Sequence, residues 1–465
     1  MKNNLRILNI SSLTLKAVGI MLLSLSIFSC KKKNNTTATT PGIEKVKHVV
    51  VIYLENHSFD NLYGSFAGAN GLSNATAANW TQVDGTGTVY ANLPAVTGTG
   101  SAAFPTNLAN KYFNIDQYVA NDMPTPDVTH RFYQEPLQID GGKMDKYAFY
   151  NIAGSSAGLS QGYYNTSSLP LLGMAQKYVL CDNFFHSAFG GSFLNHQWLI
   201  AAASPTFPNA PASVVANPAL DANGNITADN FVTPDGYAVN TCYSVNAPHP
   251  ASANNTPDKL VPSQTNPTIG DRLSEKNIGW AWYSGGWNDA LAGNPAPTFQ
   301  FHHQPFIYYK NFADGTQAKK DHLKDELDFV AAAKAGTLPA VSFVKPLGLY
   351  NEHPGYSDVN NSEKHALDLV NDVLNGPNGK DAVIIITYDE NGGFWDHVAP
   401  PVIDKWGPGT RVPALIISPF AKQGVVDHTP YETVSILSFI EKRWGLAPLS
   451  TRDKNADPLS NAFNF

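Results

Sequence analysis

Apolar residues along this chain come in short runs separated by amphipathic stretches, and two of the runs are unusually pure. Residues 48–54 and 383–388 are dominated by Val and Ile and have the length of single strands. Such runs are typical of strands covered on both faces in a parallel sheet. Shorter apolar runs predict strands over residues 179–180, 278–283, 340–344 and 412–418. Other stretches predict helices over residues 169–178, 192–203, 318–335, 362–374 and 431–444.

The alternation of these strands and helices predicts the fold class. Chains in which strands and helices follow one another in turn form α/β folds built on parallel strands. We therefore expect a doubly wound, mostly parallel central sheet with helices on both faces. Two segments rich in Gly, Ala, Thr, Asn and Pro interrupt the pattern, residues 67–110 and 204–258. Both are too long for simple connections and predict surface loops or cap insertions.

One short stretch inside the second insertion resembles the start of an EF-hand calcium loop. Residues 221–225 read Asp-Ala-Asn-Gly-Asn. The loop would need Gly at its sixth position and Glu at its twelfth, where this chain has Ile226 and Val232. A β-turn is therefore the better prediction.

The N-terminal segment, residues 1–30, predicts an export signal. Three basic residues precede an apolar stretch over residues 17–28, which is short for a membrane span. The stretch leads to Cys30 in a context that resembles a bacterial lipoprotein signal. In that interpretation Cys30 carries a lipid anchor, residues 31–45 form a flexible tether, and the protein is exported to the periplasm or cell surface. The alternative is an ordinary secretory signal with an incidental cysteine.

Net charge and cysteine content exclude some classes of function. A formal charge of −7 offers no basic field for general nucleic-acid binding, and no protein partner is evident. Beyond the signal only Cys181 and Cys242 remain. They could form one disulfide or be two separate buried residues.

Polar oxygen-bearing residues follow the two purest strands. Glu55 and Asn56 come after the first, and Asp389 and Glu390 come after the second. Ligands of open α/β sheets collect beyond the carboxyl ends of the strands. Carboxylate and amide oxygens suit hard divalent cations, so calcium, magnesium and manganese are all plausible at a shared site.

A candidate nucleophile lies at a predicted helix start. Ser192 follows Gly190-Gly191, which favours a tight turn leading to a helix N-terminus. The motif is not the GxSxG elbow of esterases, because residue 194 is Leu. The structural alternative for Ser192 is a helix N-cap.

Five ordered motifs resemble one known family. They span residues 55–60, 190–197, 302–305, 351–355 and 389–393, the last followed by Asp396-His397. They are similar to the bacterial phosphoesterase family of acid phosphatases and phospholipases C, in the alkaline-phosphatase-like superfamily. The resemblance runs from residue 48 to 444 and implies a catalytic domain over residues 46–465. The motif around Ser192 is closer to the acid phosphatases, whereas Glu390 is familiar among the phospholipases.

The resemblance implies a role for each matching residue. Glu55, Asn56, Asp389 and Glu390 would hold one divalent cation, with the Ser192 hydroxyl at its open position. The phosphate pocket would be lined by His130, His303 and His353, with His302 and Asn195 as further substrate contacts. Asp396-His397 would either support the metal ligands or close the turn.

These roles predict a phosphoesterase that forms a phosphoserine at Ser192, which water then hydrolyses. Phosphomonoesters are the favoured substrates, and phosphodiesters such as phospholipids are the alternative. A third hypothesis is a surface lipoprotein that binds a glycan or a phosphorylated ligand without turnover. We expect residues 67–110 and 283–287 to shape the leaving-group pocket. Protonated histidines would favour hydrolysis below neutral pH.

Overall fold

The computed structural model describes residues 42–98, 100–151 and 156–465. The predicted signal over residues 1–30, Cys30 itself and residues 31–41 of the predicted tether lie outside the described residues. The last part of the tether is folded, contrary to expectation. Residues 43–45 form a single helical turn in which Ile43 is buried, whereas Glu44 and Lys45 are exposed.

A mixed eight-stranded sheet forms the centre of the described part of the chain. Its strands are β1 His48–Leu54, β2 Val179–Cys181, β3 Trp280–Ser284, β4 Leu323–Asp325, β5 Val341–Lys345, β6 Ala382–Tyr388, β7 Ala414–Ile417 and β8 Val425–Asp427. They are ordered β4-β3-β5-β1-β6-β7-β2-β8 across the sheet, and only β7 runs antiparallel to its neighbours. The predicted α/β class with a mostly parallel sheet is confirmed.

Strands β1 and β6 lie side by side in the middle of this sheet. Val49 to Leu54 and all of β6 are buried. Because successive side chains of a strand point to opposite faces, both faces of the sheet are covered here, which explains the unbroken apolar runs. Leu54 pairs with Tyr388 at the ends of the two strands. The residues that follow them therefore meet at one edge of the sheet.

Twelve α-helices occur in the described residues, most of them short. They are α1 Phe59–Tyr63, α2 Ala77–Trp80, α3 Gln134–Ile139, α4 Leu172–Lys177, α5 Ser192–Ala201, α6 Ile269–Glu275, α7 Trp287–Leu291, α8 Gln317–His322, α9 Glu326–Ala335, α10 Val359–Asn375, α11 Thr433–Trp444 and α12 Thr451–Asn455. Among these, α5 is buried along its whole length. It brings the candidate nucleophile to the sheet edge from inside the core.

The helix expected over residues 318–335 is wrong, because the chain divides there into α8, β4 and α9. Residues of β4 pair with the outer edge of β3. Asp325 then caps α9 by accepting a hydrogen bond from the backbone N–H of Leu327. The pairing and the cap compete with a continuous helix and override the helical pattern.

The remaining strands are two-residue pairs outside the central sheet. They are Phe113–Asn114 with Gly162–Tyr163, Phe184–Phe185 with Tyr431–Glu432, Ala219–Leu220 with Ile226–Thr227, and Tyr243–Ser244 with Leu260–Val261. The third pair is a hairpin whose turn is closed by the N–H of Gly224 donating to the carbonyl of Asp221. The β-turn predicted over residues 221–225 is confirmed.

The two cysteines of the folded body are separate. Cys181 and Cys242 are both buried and unbonded, so the disulfide alternative is wrong. Across the described ranges, no helix combines the length and the apolar character needed to cross a membrane.

Candidate active site

The loops after β1 and β6 meet as the strand pairing requires. Glu55, Asn56, Asp389 and Glu390 are all buried, and the backbone N–H of Asn56 donates to Asp389 Oδ1 at 3.3 Å. Gly392 has a φ of 63°, and a Cβ there would overlap the carbonyl of Asn56. Only glycine fits this approach, which explains the Gly-Gly pair after Glu390.

Ser192 is the first residue of α5, and its hydroxyl faces this junction. Its Oγ donates to Asn56 Oδ1 at 3.4 Å. The N-cap position belongs to Gly191, so the capping alternative for Ser192 is wrong. The first N–H groups of a helix have no partner within it and attract anions. The start of α5 therefore places a hydroxyl and backbone donors together.

A buried network holds the turn in front of Ser192. Asn195 Nδ2 donates to the carbonyl oxygens of Ala188 and Gly190 at 2.9 and 3.2 Å, and its Oδ1 accepts from the Ala188 N–H at 3.0 Å. The expected substrate contact by Asn195 is therefore wrong, because its amide is used inside the turn. The N–H of Gly190 donates to Glu135, a residue outside the sequence motifs.

A cavity of about 320 Å³ opens over Ser192. Three histidines line it, His130, His302 and His353. The fourth, His303, lies behind them with its Nε2 at 2.5 Å from Glu55 Oε1. The sequence prediction placed both histidines at the phosphate pocket. His302 lines the cavity, whereas His303 faces a proposed metal ligand instead.

The walls of the cavity come from other segments than expected. The second insertion contributes Val239, Asn240 and Thr241, and Arg131, Gln300 and Tyr356 complete the walls. Neither residues 283–287 nor the described part of residues 67–110 line it. The leaving-group assignment to those two segments is wrong, because the topology carries them elsewhere.

The charge state of the histidines also differs from expectation. Burial lowers the pKa of His303 to about 4 and lowers the pKa values of His302 and His353. These rings are neutral near pH 7. These three rings therefore do not support the expected gain of activity below neutral pH.

A buried lysine that sequence reasoning missed completes the charged cluster. Lys345 ends β5, is fully buried, and places Nζ 2.5 Å from Glu55 Oε1. Against the effect of burial, His303 and Lys345 hold the pKa of Glu55 well below its usual value. The available signal was a Lys directly after an apolar run at the same sheet edge.

The acidic cluster has too few cations of its own. When ionised, Glu55, Asp389 and Glu390 carry three negative charges against one positive charge on Lys345. Asp389 Oδ2 and Glu390 Oε1 accept no hydrogen bond from any described residue. Burial raises the pKa of Asp389 to about 7 and that of Glu390 well above its usual value. The donor set therefore fits a cation.

Three groups of potential metal ligands occur within the described residues. They are Glu55, His196 and His303 beside the acidic cluster, Asp127, His130 and His353 at the cavity, and Asp60, Asp396 and His397. In each group the three ligand atoms lie within 4.8 Å of one another. Asp127 was not assigned a role from the sequence.

Asp396 and His397 belong to a separate buried cluster. Arg411 donates from Nε to Asp396 Oδ1 at 2.9 Å and from one Nη to Asp60 Oδ1 at 3.3 Å. His397 Nδ1 lies 2.6 Å from Asp60 Oδ2. Neither Asp396 nor His397 contacts the proposed metal ligands directly, so the expected direct support is wrong.

Comparison with known proteins assigns the family. The sequence model of the Phosphoesterase family matches residues 46–447. The chain belongs to the phosphoesterase family. This phosphoesterase contains all five resembling motifs inside the matched region, and three of the motifs supply Ser192, His302 and His353 to the cavity.

Curated relatives of this phosphoesterase carry phospholipase C names. It is 22% identical to non-hemolytic phospholipase C of Pseudomonas aeruginosa over 91% of this chain and 58% of that protein. It is 23% identical to phospholipase C B of Mycobacterium tuberculosis over 91% of this chain and 79% of that protein. The chain thus spans little more than half the length of the Pseudomonas relative.

Solved structures give distant likenesses to this phosphoesterase. A Vibrio parahaemolyticus protein in the alkaline phosphatase superfamily has a TM-score of 0.35 and 12% identity, covering 64% of each chain. The lipoteichoic acid synthase LtaP from Listeria monocytogenes has a TM-score of 0.32 and 8% identity, covering 90% of this chain and 79% of its own. Scores this low carry no inference about chemistry.

Proposed function

We propose that this phosphoesterase is an exported, metal-dependent enzyme of the phospholipase C type that cleaves a phosphodiester through a phosphoserine at Ser192. One observation carries the proposal. The Ser192 hydroxyl lies at the start of α5, beside Asn56 and next to a buried cluster of three carboxyl groups with one lysine. The phospholipase C names of relatives matching 91% of the chain support a diester substrate.

The acidic cluster is the proposed site of one divalent cation. The ligands would be Glu55, Asn56, Asp389, Glu390 and the Ser192 hydroxyl. A divalent charge would balance the cluster, and the all-oxygen set suits calcium, magnesium or manganese. Such a cation, when bound, favours the ionised form of a neighbouring hydroxyl.

The residues of the chain bind and orient the phosphate. The N–H groups at the start of α5 receive its oxygens, and His130, His302 and His353 surround it in the cavity. Ser192 Oγ forms a bond to phosphorus as the bond from phosphorus to the leaving alcohol breaks. A neutral imidazole of the cavity accepts the Ser192 proton and returns it to the leaving oxygen. Water then attacks phosphorus and releases Ser192.

Phosphomonoesters are the second candidate substrates. The specific observation in their favour is the Gly-Gly-Ser-Phe-Leu-Asn-His-Gln motif, which resembles the acid-phosphatase branch. Glu390 and the names of the relatives favour the diester, which we therefore place first.

A paired assay tests the reaction. The purified chain is incubated with a chromogenic phosphodiester and a chromogenic phosphomonoester, with and without a chelator. We expect faster diester turnover, loss of turnover with chelator, and a fall of about 10³-fold or more in Ser192→Ala. The control is Ser204→Ala, which removes a hydroxyl beyond the other end of α5 that accepts a hydrogen bond from Trp198, and we expect it to leave the rate nearly unchanged. Wild-type rates in Ser192→Ala would exclude the nucleophile, and binding of phosphate without turnover would favour a non-catalytic protein.

The location of the enzyme is a further part of the proposal. The signal-like residues 1–30 support export, and Cys30 supports a lipid anchor. Cys30→Ser is expected to move the protein from the membrane to the soluble fraction without a change in kcat. An equal distribution of wild type and variant between the two fractions would exclude the anchor.

A further inference from the structure

Behind the turn that carries Ser192 lies an ion pair that no sequence motif contains. Glu135 comes from α3 and His186 precedes the turn, and both side chains are buried. His186 Nε2 lies 2.8 Å from Glu135 Oε1, and its Nδ1 lies 2.8 Å from the carbonyl oxygen of Ala188. Since both ring nitrogens face acceptors, both carry protons, and the ring is an imidazolium.

The carboxylate of Glu135 is saturated with donors. Its Oε1 also accepts from the N–H of Thr410 at 2.8 Å and from its hydroxyl at 2.9 Å. Its Oε2 accepts from the N–H of Gly190 at 2.6 Å. Gly190 is two residues before Ser192 and has a φ of 85°. Glu135 therefore fixes the backbone at the one point where the turn changes direction.

The backbone packs closely around this pair at two glycines. A Cβ at Gly409 would overlap the His186 ring and Glu135 Oε1. A Cβ at Gly190 would overlap the backbone of Phe132, which directly follows the cavity-lining residues 127–131. The pair thus joins the nucleophile turn to the segment that carries His130.

A charged pair here has an electrostatic reason as well. Against the effect of burial, Glu135 raises the pKa of His186, and His186 lowers the pKa of Glu135. An uncompensated carboxylate behind the turn would repel the phosphate that the turn receives. The imidazolium cancels that charge while the carboxylate still accepts four hydrogen bonds.

We propose that the Glu135–His186 ion pair positions the Ser192 hydroxyl by locking the Gly190–Gly191 turn. Neither residue lines the cavity, so both act through the turn and are positioning residues. The inference rests on the proposed role of Ser192 as nucleophile. Replacing Glu135 should therefore lower kcat and leave substrate binding nearly unchanged.

The test compares two identical substitutions. Glu135→Gln replaces one acceptor oxygen with a donor that must face Gly190 or the His186 and Thr410 donors. We expect kcat to fall about 100-fold, as for a misplaced reacting group, with KM changed by less than about threefold. Glu326→Gln is the matched control. Glu326 Oε1 lies 2.7 Å from His365 Nε2, and neither residue lines the cavity. This control should leave kcat unchanged. Both are assayed well below their melting temperatures, with bound metal measured.

A milder pair of variants covers the case in which Glu135→Gln does not fold. Thr410→Val removes the hydroxyl that donates to Glu135 and that also bonds the Tyr147 hydroxyl at 2.7 Å, and Thr410→Ser keeps both contacts. We expect kcat to fall about fivefold in the Val variant, the value of one hydrogen bond, and to recover in the Ser variant. A folded Glu135→Gln or Thr410→Val with wild-type kcat, or with only KM changed, would overturn the inference. Activity in Ser192→Ala would instead show that the proposed function itself is wrong.

Discussion

Two buried clusters of charged side chains follow the carboxyl ends of β1 and β6, and they differ in how their charges are matched. In the first, Arg411 and His397 face the carboxylates of Asp60 and Asp396, and His397 Nε2 also faces Asn70 Oδ1 at 3.1 Å. Its charges cancel. This matched cluster links the loop after β1 to the loop after β6.

The second cluster contains Glu55, Asp389, Glu390 and Lys345, and it is not matched. Asp389 Oδ2 and Glu390 Oε1 accept no hydrogen bond from the described residues, and burial raises the pKa values of both carboxyl groups. Burying unpaired charge is costly, so proteins retain it where a ligand or a reaction uses it. Both clusters are buried, so charge balance and not burial distinguishes the proposed catalytic cluster from the matched cluster.

The largest expected effect comes from the unmatched cluster. Asp389→Asn should lower kcat about 10³-fold, because it removes one charge from the proposed cation site. It should not destabilise the chelator-treated protein. Burial raises the pKa of Asp389 to about 7, so the free energy of unfolding of the wild type falls as pH rises from the ordinary pKa of an Asp towards 7. At pH 8 the Asn variant, which is neutral, should therefore be at least as stable as the wild type. Rate assays and denaturant unfolding check both parts. A strongly destabilised but active variant would reverse the assignment of the two clusters.

The matched cluster should respond in the opposite way. Burial raises the pKa of Asp396 too, against the pull of Arg411, so the cost of Asp396→Asn comes from the buried Arg411 guanidinium that loses a charged partner. We expect that loss to be about 3 kcal/mol of unfolding free energy, since it leaves a buried charge uncompensated. Folded protein should keep its kcat at a temperature well below melting. Urea unfolding gives the first quantity and steady-state rates give the second. Unchanged stability with lost activity would place Asp396 in the chemistry.

A smaller effect concerns pH. Against the effect of burial, Asp60 raises the pKa of His397 above 6.5. Its contribution to stability is therefore fully present below pH 6.5 and is lost as pH rises through the folded-state pKa. His397→Gln should remove this pH-dependent step from the unfolding free energy. Wild type and variant with parallel stability profiles between pH 5 and about pH 9 would show that His397 is neutral in the fold.

Much of this arrangement follows from local sequence, and the reasons are physical. The apolar runs of β1 and β6 identified two central strands, and parallel pairing then brought Glu55 and Asn56 to Asp389 and Glu390. The Gly-Gly pair before Ser192 indicated a helix start, which α5 confirms. These features depend on strand periodicity and turn chemistry, which short segments encode.

Other features depend on distant packing and could not be read in this way. Lys345 has the sequence of an ordinary strand end, and only the position of β5 beside β1 carries it to Glu55. His303 faces away from the cavity that His302 lines, because adjacent residues of a tight helical turn point in different directions. Glu135 reaches Gly190 through tertiary contact alone. Each required the fold before its role could be inferred.

The most direct test of the account is the amount of divalent metal bound by each cluster's variants. Elemental analysis of the purified protein after removal of free ions should give one equivalent per chain in the wild type and in Asp396→Asn, and none in Asp389→Asn. A full equivalent in Asp389→Asn, or an active wild type without metal, would contradict the claim that the unmatched cluster holds a catalytic cation.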